Sequence, residues 1–320
     1  MTMTAKPPQP SQNAHSRHIV IVGATGLVGS ELFRIIDHDK YRITVVGRSA
    51  DRLKSAFPDA SGHLNWAALE ESDAAPFDTI INLAGSSVSD RKWDEAYKRV
   101  MIDSRIKATQ MCVRKCAAKP ALHLINASAV SAYGFYNDQG PRFTENDRDN
   151  RSGSAFLQDL IDEWEATALD AEALDSNVTL LRTGVVFDLH DGAFPALMKP
   201  FRMFIGGKIG TGHQMLSWIS TRDAARAIAF LLDHEDLTGP INLTSPGAVS
   251  NRALSKELGK ALGKPSFFPT PAFVIRAGMG QMGDELIVKG QHVFPEKLLN
   301  AGFSFAHPTI EAYLFDVFGT

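Results

Sequence analysis

The stretch His18-Ile19-Val20-Ile21-Val22-Gly23-Ala24-Thr25-Gly26-Leu27-Val28-Gly29 decides how the rest of this chain reads. Its first half is an unbroken, largely β-branched run, the pattern of a parallel strand covered on both faces. Its second half sets glycines at 23, 26 and 29, and 26–37 then carries Leu27, Leu32, Ile35 and Ile36 at helical spacing. Each glycine has its own task in such a turn. Gly23 takes a positive φ. Gly26, with no Cβ, lets a ligand reach the main chain, and Gly29 lets the helix lie close to the sheet. Helix N–H groups and the positive end of the helix dipole then face any anion resting on Thr25, Gly26, Leu27 and Val28. The turn follows a strand and opens a helix, which is the context a dinucleotide pyrophosphate site requires.

Outward from this turn the same rhythm continues. Further strands are expected at 43–46, 79–83, 122–126 and 178–181, with helices at 93–118, 154–174 and 221–232. Strand alternating with helix argues an α/β fold built on a doubly wound parallel sheet with right-handed crossovers. Residues 1–16, with Lys6-Pro7-Pro8-Gln9-Pro10-Ser11-Gln12-Asn13, are too polar to offset the entropy of ordering and are expected to form a disordered leader. No internal repeat is present.

The bulk numbers narrow the function classes. The chain has 320 residues, 44% hydrophobic and 22% charged, with a net charge of −3. That is ordinary for a globular protein and supplies no basic field for nucleic acid or an anionic membrane. No apolar run approaches the roughly 18 residues of a membrane span, and the N-terminus lacks a signal-peptide core. The expectation is a cytoplasmic protein whose partner is a small molecule, with neither nucleic acid nor membrane, and with homodimer formation open. Cys112 and Cys116, on one helix, are too few for a disulfide framework, and with scattered histidines they point to no metal site.

The end of the second strand selects the cofactor. An acidic residue there would grip the ribose 2′-hydroxyl of NAD. The chain instead reads Gly47-Arg48-Ser49, with Arg52 one helical turn on. A guanidinium fork suits a phosphate where a carboxylate would repel it, so NADP(H) is expected. The alternative is a solvated Arg48 with Asp51 turned inward.

Several further motifs resemble the extended short-chain dehydrogenase/reductases. They are the glycine spacing, Asn82-Leu83-Ala84-Gly85, and Ser128 followed by Tyr133-Gly134. More narrowly, the chain is similar to atypical, NAD(P)-dependent epimerase-family proteins of the sugar-nucleotide epimerase-like kind, with their C-terminal domain. The matching stretches include Ser104-Arg105…Thr109, Trp164-Glu165, Arg182-Thr183-Gly184, Gly206–Gln214, Ser217-Trp218-Ile219 and Gly290-Gln291-His292-Val293-Phe294-Pro295. The likeness covers about residues 18–318. It implies a Rossmann domain plus a smaller C-terminal substrate lobe, with NADP as cofactor. It also implies that Leu83, Ala84, Gly85, Arg105 and Ala127 lie near that cofactor. The division expected is 17–187 with 221–243 for the NADP-binding domain, and 188–220 with 244–320 for the substrate lobe.

The catalytic residues depart from the superfamily's pattern. A Tyr-x-x-x-Lys pair is expected on the helix after the fifth strand, where the lysine lowers the tyrosine pKa and holds the nicotinamide ribose. None of the five tyrosines has a lysine four residues on, and no lysine lies between Lys119 and Lys199. Ser128, matching the superfamily's substrate-orienting serine, and Tyr133 are the candidate catalytic residues that remain. Glu145 and Asp147 are expected to be solvated. For the substrate, Met198, Lys208 and Gln214 are the candidates: Met198 in an apolar stretch with Phe201, Met203 and Phe204 that would cover the nicotinamide, Lys208 and Gln214 in a glycine-rich loop. Asp223 is expected to complement the dipole of its helix.

These readings leave three functions open. They are an NADP-dependent oxidoreductase or epimerase acting on a small polar substrate such as a sugar nucleotide, a non-catalytic NADP(H)-binding sensor or regulator, and a scaffold without cofactor. The cofactor reading makes one prediction at once. Arg48→Asp weakens NADPH much more than NADH, because it sets a negative charge against the 2′-phosphate. Equal loss of both, measured by calorimetry, would show that Arg48 does not meet that phosphate.

Overall fold

The computed structural model describes residues 17–147 and 155–319, so the expected leader at 1–16 and the first residue of the helix expected at 154–174 lie outside the described residues. Seven strands form one sheet: β1 (Arg17–Val22), β2 (Tyr41–Gly47), β3 (Gly62–Asn65), β4 (Thr79–Asn82), β5 (His123–Ala129), β6 (Asn177–Thr183) and β7 (Gly239–Leu243). Their spatial order is β3-β2-β1-β4-β5-β6-β7, and every pairing is parallel. The order reverses beside β1, so the connections that leave the carboxyl ends of β1 and β4 run to opposite faces of the sheet and leave a crevice between them, the place where open α/β sheets bind ligands.

The β1 run shows why a continuous apolar strand belongs here. Ile19 and Ile21 point into one core, against α1 (Leu27–Ile35) and the side of the sheet later covered by helix Thr221–Leu231. Val20 and Val22 point into a second core on the opposite face. Between β2 and β4 lie two short helices, α2 (Ala50–Ala56) and α3 (Trp66–Glu71). The second core is closed by α4 (Glu95–Ala118), whose Met111, Cys112 and Cys116 sit in it, and it takes in Ala168 from α5 (Phe156–Leu169). Both cysteines are free and buried, and burial pushes their thiols up.

The remaining chain packs a third core against the sheet's end. α6 (Ala193–Arg202), α8 (Asn251–Leu262) and α11 (Ile310–Phe318) enclose Phe187, Phe194, Met198, Phe201, Trp218 and Tyr313. α7 (Thr221–Leu231), α9 (Ala272–Gly283) and α10 (Glu296–Asn300) complete the described α-helices. No helix among the described residues is long and apolar enough to cross a membrane.

Differences from the expected elements have local causes. The helix expected to run to 174 stops at Leu169, and a single turn, Glu172–Leu174, follows before Asp175 takes a left-handed φ of 57°. β3 carries no apolar run because it is a four-residue edge strand bonded only to β2. β7 is the other edge, and its Pro240 is tolerated where one side of the strand needs no donor.

One buried polar network joins four of these elements. Asn82 on β4 donates to Thr109 Oγ1 at 3.0 Å and to Asn126 Oδ1 at 2.7 Å. Thr109 on α4 in turn donates to Asn126 on β5, and Trp164 Nε1 on α5 donates to Thr109 at 2.8 Å. Asn82, Thr109 and Asn126 are fully buried, so each bond lost strands a desolvated group. Thr109→Val therefore costs about 2 kcal/mol, while Thr109→Ser, which keeps the hydroxyl, costs less. A lower urea midpoint at unchanged slope checks this, and equal losses in the two variants would contradict it.

Candidate functional site

The glycine turn is built by steric need. Gly23 has φ +81°, and a Cβ there would lie 2.9 Å from Ala84 N and 2.9 Å from Leu83 C. A Cβ on Gly29 would lie 2.7 Å from Gly23 O. The chain thus passes backbone against backbone from β1 to β4, and α1 starts directly under the turn. Gly26 is the N-cap of α1 and supplies no capping side chain, so the N-terminal amides of that helix stay available to an external acceptor. Thr25 and Gly26 are exposed, and Leu27 and Val28 are half-buried behind them.

This turn opens on a cavity of about 1200 Å³. Gly23, Thr25 and Gly26 line it from β1–α1, Gly47 and Arg48 from the end of β2, and Leu83, Ala84 and Gly85 from the end of β4. Arg48 is exposed at the far end, and no acidic side chain pairs with it among the described residues. Asp51 does not turn inward: its side chain is 95% exposed, beside Lys54. Ser49 caps α2 through Arg52 N, which holds the Arg48 segment in place, and Arg52 itself is exposed. Trp66, Met111 and Arg114 also line the cavity. They escape sequence reading because they come from α3 and α4, outside any strand-end motif. The groups present fit a dinucleotide: bare amides for a diphosphate, a cation for a terminal phosphate, and an aromatic and a thioether for a flat ring.

Across β4 lies the wall where catalytic residues were expected. Pairing of β5 with β6 sets Ser128 beside Arg182. Ser128 Oγ donates to Glu165 on α5, and Arg182 grips the same carboxylate with Nε at 2.9 Å and Nη2 at 2.8 Å. Glu165 and Arg182 are only 12% and 15% exposed at their side chains. Their bidentate contact raises the guanidinium pKa against the opposing effect of burial. In the sequence, Trp164-Glu165 and Arg182 stand as family matches with no role of their own. The signal was a carboxylate on the helix where the lysine is missing.

Tyr133 is corrected by its surroundings. It is 1% exposed, stacks on Phe143 at 5.1 Å, lies 4.8 Å from the Arg182 guanidinium, and donates its phenol to Asn242 Oδ1 at 2.8 Å. Burial raises its pKa. Its hydroxyl faces the interior, so it is a packing residue with no reach into the cleft.

Other expectations are also revised. Met198 is fully buried in the third core with Phe201, so neither covers the cleft, while Met203 and Phe204 are exposed beyond the end of α6. Gln214 is buried, and its amide donates to the carbonyls of Ile209 and Ile287, which makes it a brace for the glycine-rich segment. Lys208 is half-buried, with Nζ near Thr211 O. Glu145 is buried rather than solvated: it accepts from the main-chain N–H of Asn242, Glu296 and Lys297, and burial raises its pKa. Asp147, by contrast, is exposed and accepts from Thr144. Asp223 is in the first turn of α7 as expected, and also accepts from Ala306 N and His307 N. Ala127 is half-buried against Ile161 and Trp164. No group of three or more metal-ligating side chains is gathered among the described residues.

The sequence pattern described as the NAD dependent epimerase/dehydratase family matches residues 19–243, and a domain of unknown function matches 270–317. An epimerase family protein of Mycobacterium leprae is 34% identical over 303 residues, covering 94% of this chain and 95% of its own length. The Bacillus subtilis epimerase family protein YfhF is 32% identical, covering 92% and 95%. The crystal structure of human epimerase family protein SDR39U1 with NADPH superposes with a TM-score of 0.82 at 25% identity, covering 95% of this chain and 99% of that one. UDP-glucuronic acid 4-epimerase from Bacillus cereus, solved with NAD, shares the fold at a TM-score of 0.69 and 15% identity.

The geometry separates two substitutions. Glu165→Ala leaves Arg182 buried without its partner and costs about 3 to 5 kcal/mol. Tyr133→Phe removes one neutral hydrogen bond and costs about 1 kcal/mol with no change in NADPH affinity. Chemical denaturation of the two variants checks the ranking, and a Tyr133→Phe loss as large as that of Glu165→Ala would contradict it.

Proposed function

The chain belongs to the NAD dependent epimerase/dehydratase family, and from that premise we propose that it binds NADP(H) and acts as an oxidoreductase or epimerase on a small polar substrate. One observation carries the reading. The uncapped α1 terminus in the glycine turn and Arg48, unpaired among the described residues, open on the same cavity, one suited to a diphosphate and the other to a 2′-phosphate. NADPH in the human relative supports that choice.

In this reading the glycine turn holds the diphosphate and Arg48 with Ser49 holds the 2′-phosphate. When bound, the nicotinamide supplies hydride transfer. Ser128 is the group that contacts substrate. With its proton directed to Glu165, its oxygen presents lone pairs, so it accepts from a substrate hydroxyl. Arg182 keeps Glu165 in that orientation. Lys208 meets an anionic part of the substrate, a sugar-nucleotide phosphate being one such group.

A specific observation supports a second reading, a non-catalytic NADP(H) sensor. The chain has no Tyr-x-x-x-Lys pair, and its remaining candidate tyrosine is sealed. Calorimetry with NADPH and NADH, followed by a panel of carbonyl and sugar-nucleotide substrates monitored for nicotinamide oxidation or epimer formation, tests both. Turnover of any substrate, lost in Ser128→Ala, supports the enzyme. Tight NADPH binding with no turnover across the panel supports the sensor, and no binding of either coenzyme overturns both.

A further inference from the structure

Ten large hydrophobic side chains are exposed among the described residues, and seven of them belong to three short segments, 203–205, 267–268 and 273–274. Scattered exposed hydrophobics are ordinary on a protein surface, whereas seven gathered together mark an interaction surface. The fold brings these segments side by side. Phe268 N donates to Gly206 O at 3.1 Å and Thr270 N to Lys208 O at 2.9 Å, so the chain before α9 runs along the chain after α6. The rings of Phe267 and Phe268 lie 4.6 Å apart, and Phe273 and Val274 follow in the first turn of α9. Phe204 takes a φ of 62°, a left-handed conformation unfavourable for a bulky residue, and it is 56% exposed.

The charge around this face has one sign. Residues 192–210 and 258–283, which supply all three segments, contain six lysines and arginines and no aspartate or glutamate. Arg276 pairs with Asp284, just past the end of α9. Lys199, Arg202 and Lys260 are exposed and Lys264 is half-buried, and none of these four has a carboxylate partner among the described residues. Lys264 Nζ lies 4.0 Å from the centroid of the Phe204 ring, which puts a cation and an apolar ring in one surface. The chain's net charge of −3 conceals this face, because the acids lie elsewhere in the sequence. The sign decides the occupant. A second copy facing this one across a two-fold axis would set cations against cations, and residues 1–16, with Lys6 and no carboxylate, bring no counter-charge. Rings interleaved with lysines suit the boundary between lipid headgroups and acyl chains, whereas the core of a protein interface is depleted of lysine.

We propose that this face docks the protein on an anionic phospholipid surface. Phe204, Phe267 and Phe273 enter the boundary between headgroups and acyl chains, while Arg202, Lys260 and Lys264 meet lipid phosphates. The attachment is peripheral and needs no spanning helix. It is independent of the NADP(H) reading, because none of these residues lines the cavity at the glycine turn.

Co-sedimentation of the full chain with two kinds of vesicle tests this, one of phosphatidylcholine alone and one an equal mixture of phosphatidylcholine and phosphatidylglycerol. The chain pellets with the anionic vesicles and far less with the neutral ones, and added salt weakens the binding. Arg202→Gln combined with Lys264→Gln lowers affinity for the anionic vesicles about 10- to 30-fold. Phe267→Ser combined with Phe273→Ser lowers it by about tenfold or more. Unchanged urea midpoints show that both double variants fold. Absence of binding to either vesicle, equal binding to both, or unchanged affinity in either double variant overturns the inference. A wild-type chain that runs as a dimer and becomes monomeric in Phe267→Ser with Phe273→Ser also overturns it, because a second copy then covers the face.

Discussion

Two stretches of main chain have to touch at the head of this sheet. Gly23 lies against the peptide joining Leu83 to Ala84, so close that no side chain fits between them. That contact sets where α1 begins, leaves its N-terminus uncapped, and places the ends of β2 and β4 on either side of it. A helix end whose N-cap supplies no side-chain acceptor leaves its N–H groups open to an acceptor from elsewhere.

The opposite wall is organised by buried polar groups. Asn82, Thr109, Asn126 and Trp164 link two strands and two helices through a set of satisfied bonds. Such a network is rigid because each partner is desolvated and breaking any bond strands a donor or an acceptor. It fixes the ring on which Arg105 rests, and beside it Glu165 and Arg182 orient Ser128. Where the superfamily's pattern places a tyrosine and a lysine on one helix, this chain assembles an ion pair from a helix and a strand.

The C-terminal part is joined to this wall by two carboxylates that end on main-chain amides. Glu285 accepts from Phe156 N and Leu157 N at the start of α5, and Glu145 accepts at the start of α10 and from β7. Both act as helix N-caps supplied from elsewhere in the chain, complementing the positive dipole ends. They couple the position of α5, and so of Glu165, to the packing of residues far along the chain.

The strand–turn–helix, the parallel sheet and the glycine turn between them were legible in the sequence, because a β-branched run and glycine spacing act through neighbours within about ten residues. Arg48 was legible for the same reason, lying just past its strand. The edge strand β3 was not, since a short strand bonded on one side needs little apolar patterning. Nor were the sealed phenol of Tyr133, the buried Glu145 and the core position of Met198. Tyr133 finds its acceptor 109 residues away, and Glu145 finds a donor 97 residues away. Whether a polar side chain faces solvent, a ligand or another part of the chain depends on which distant segment folds over it. Only the tertiary structure decides that, because desolvation and hydrogen-bond geometry exist only once those segments meet.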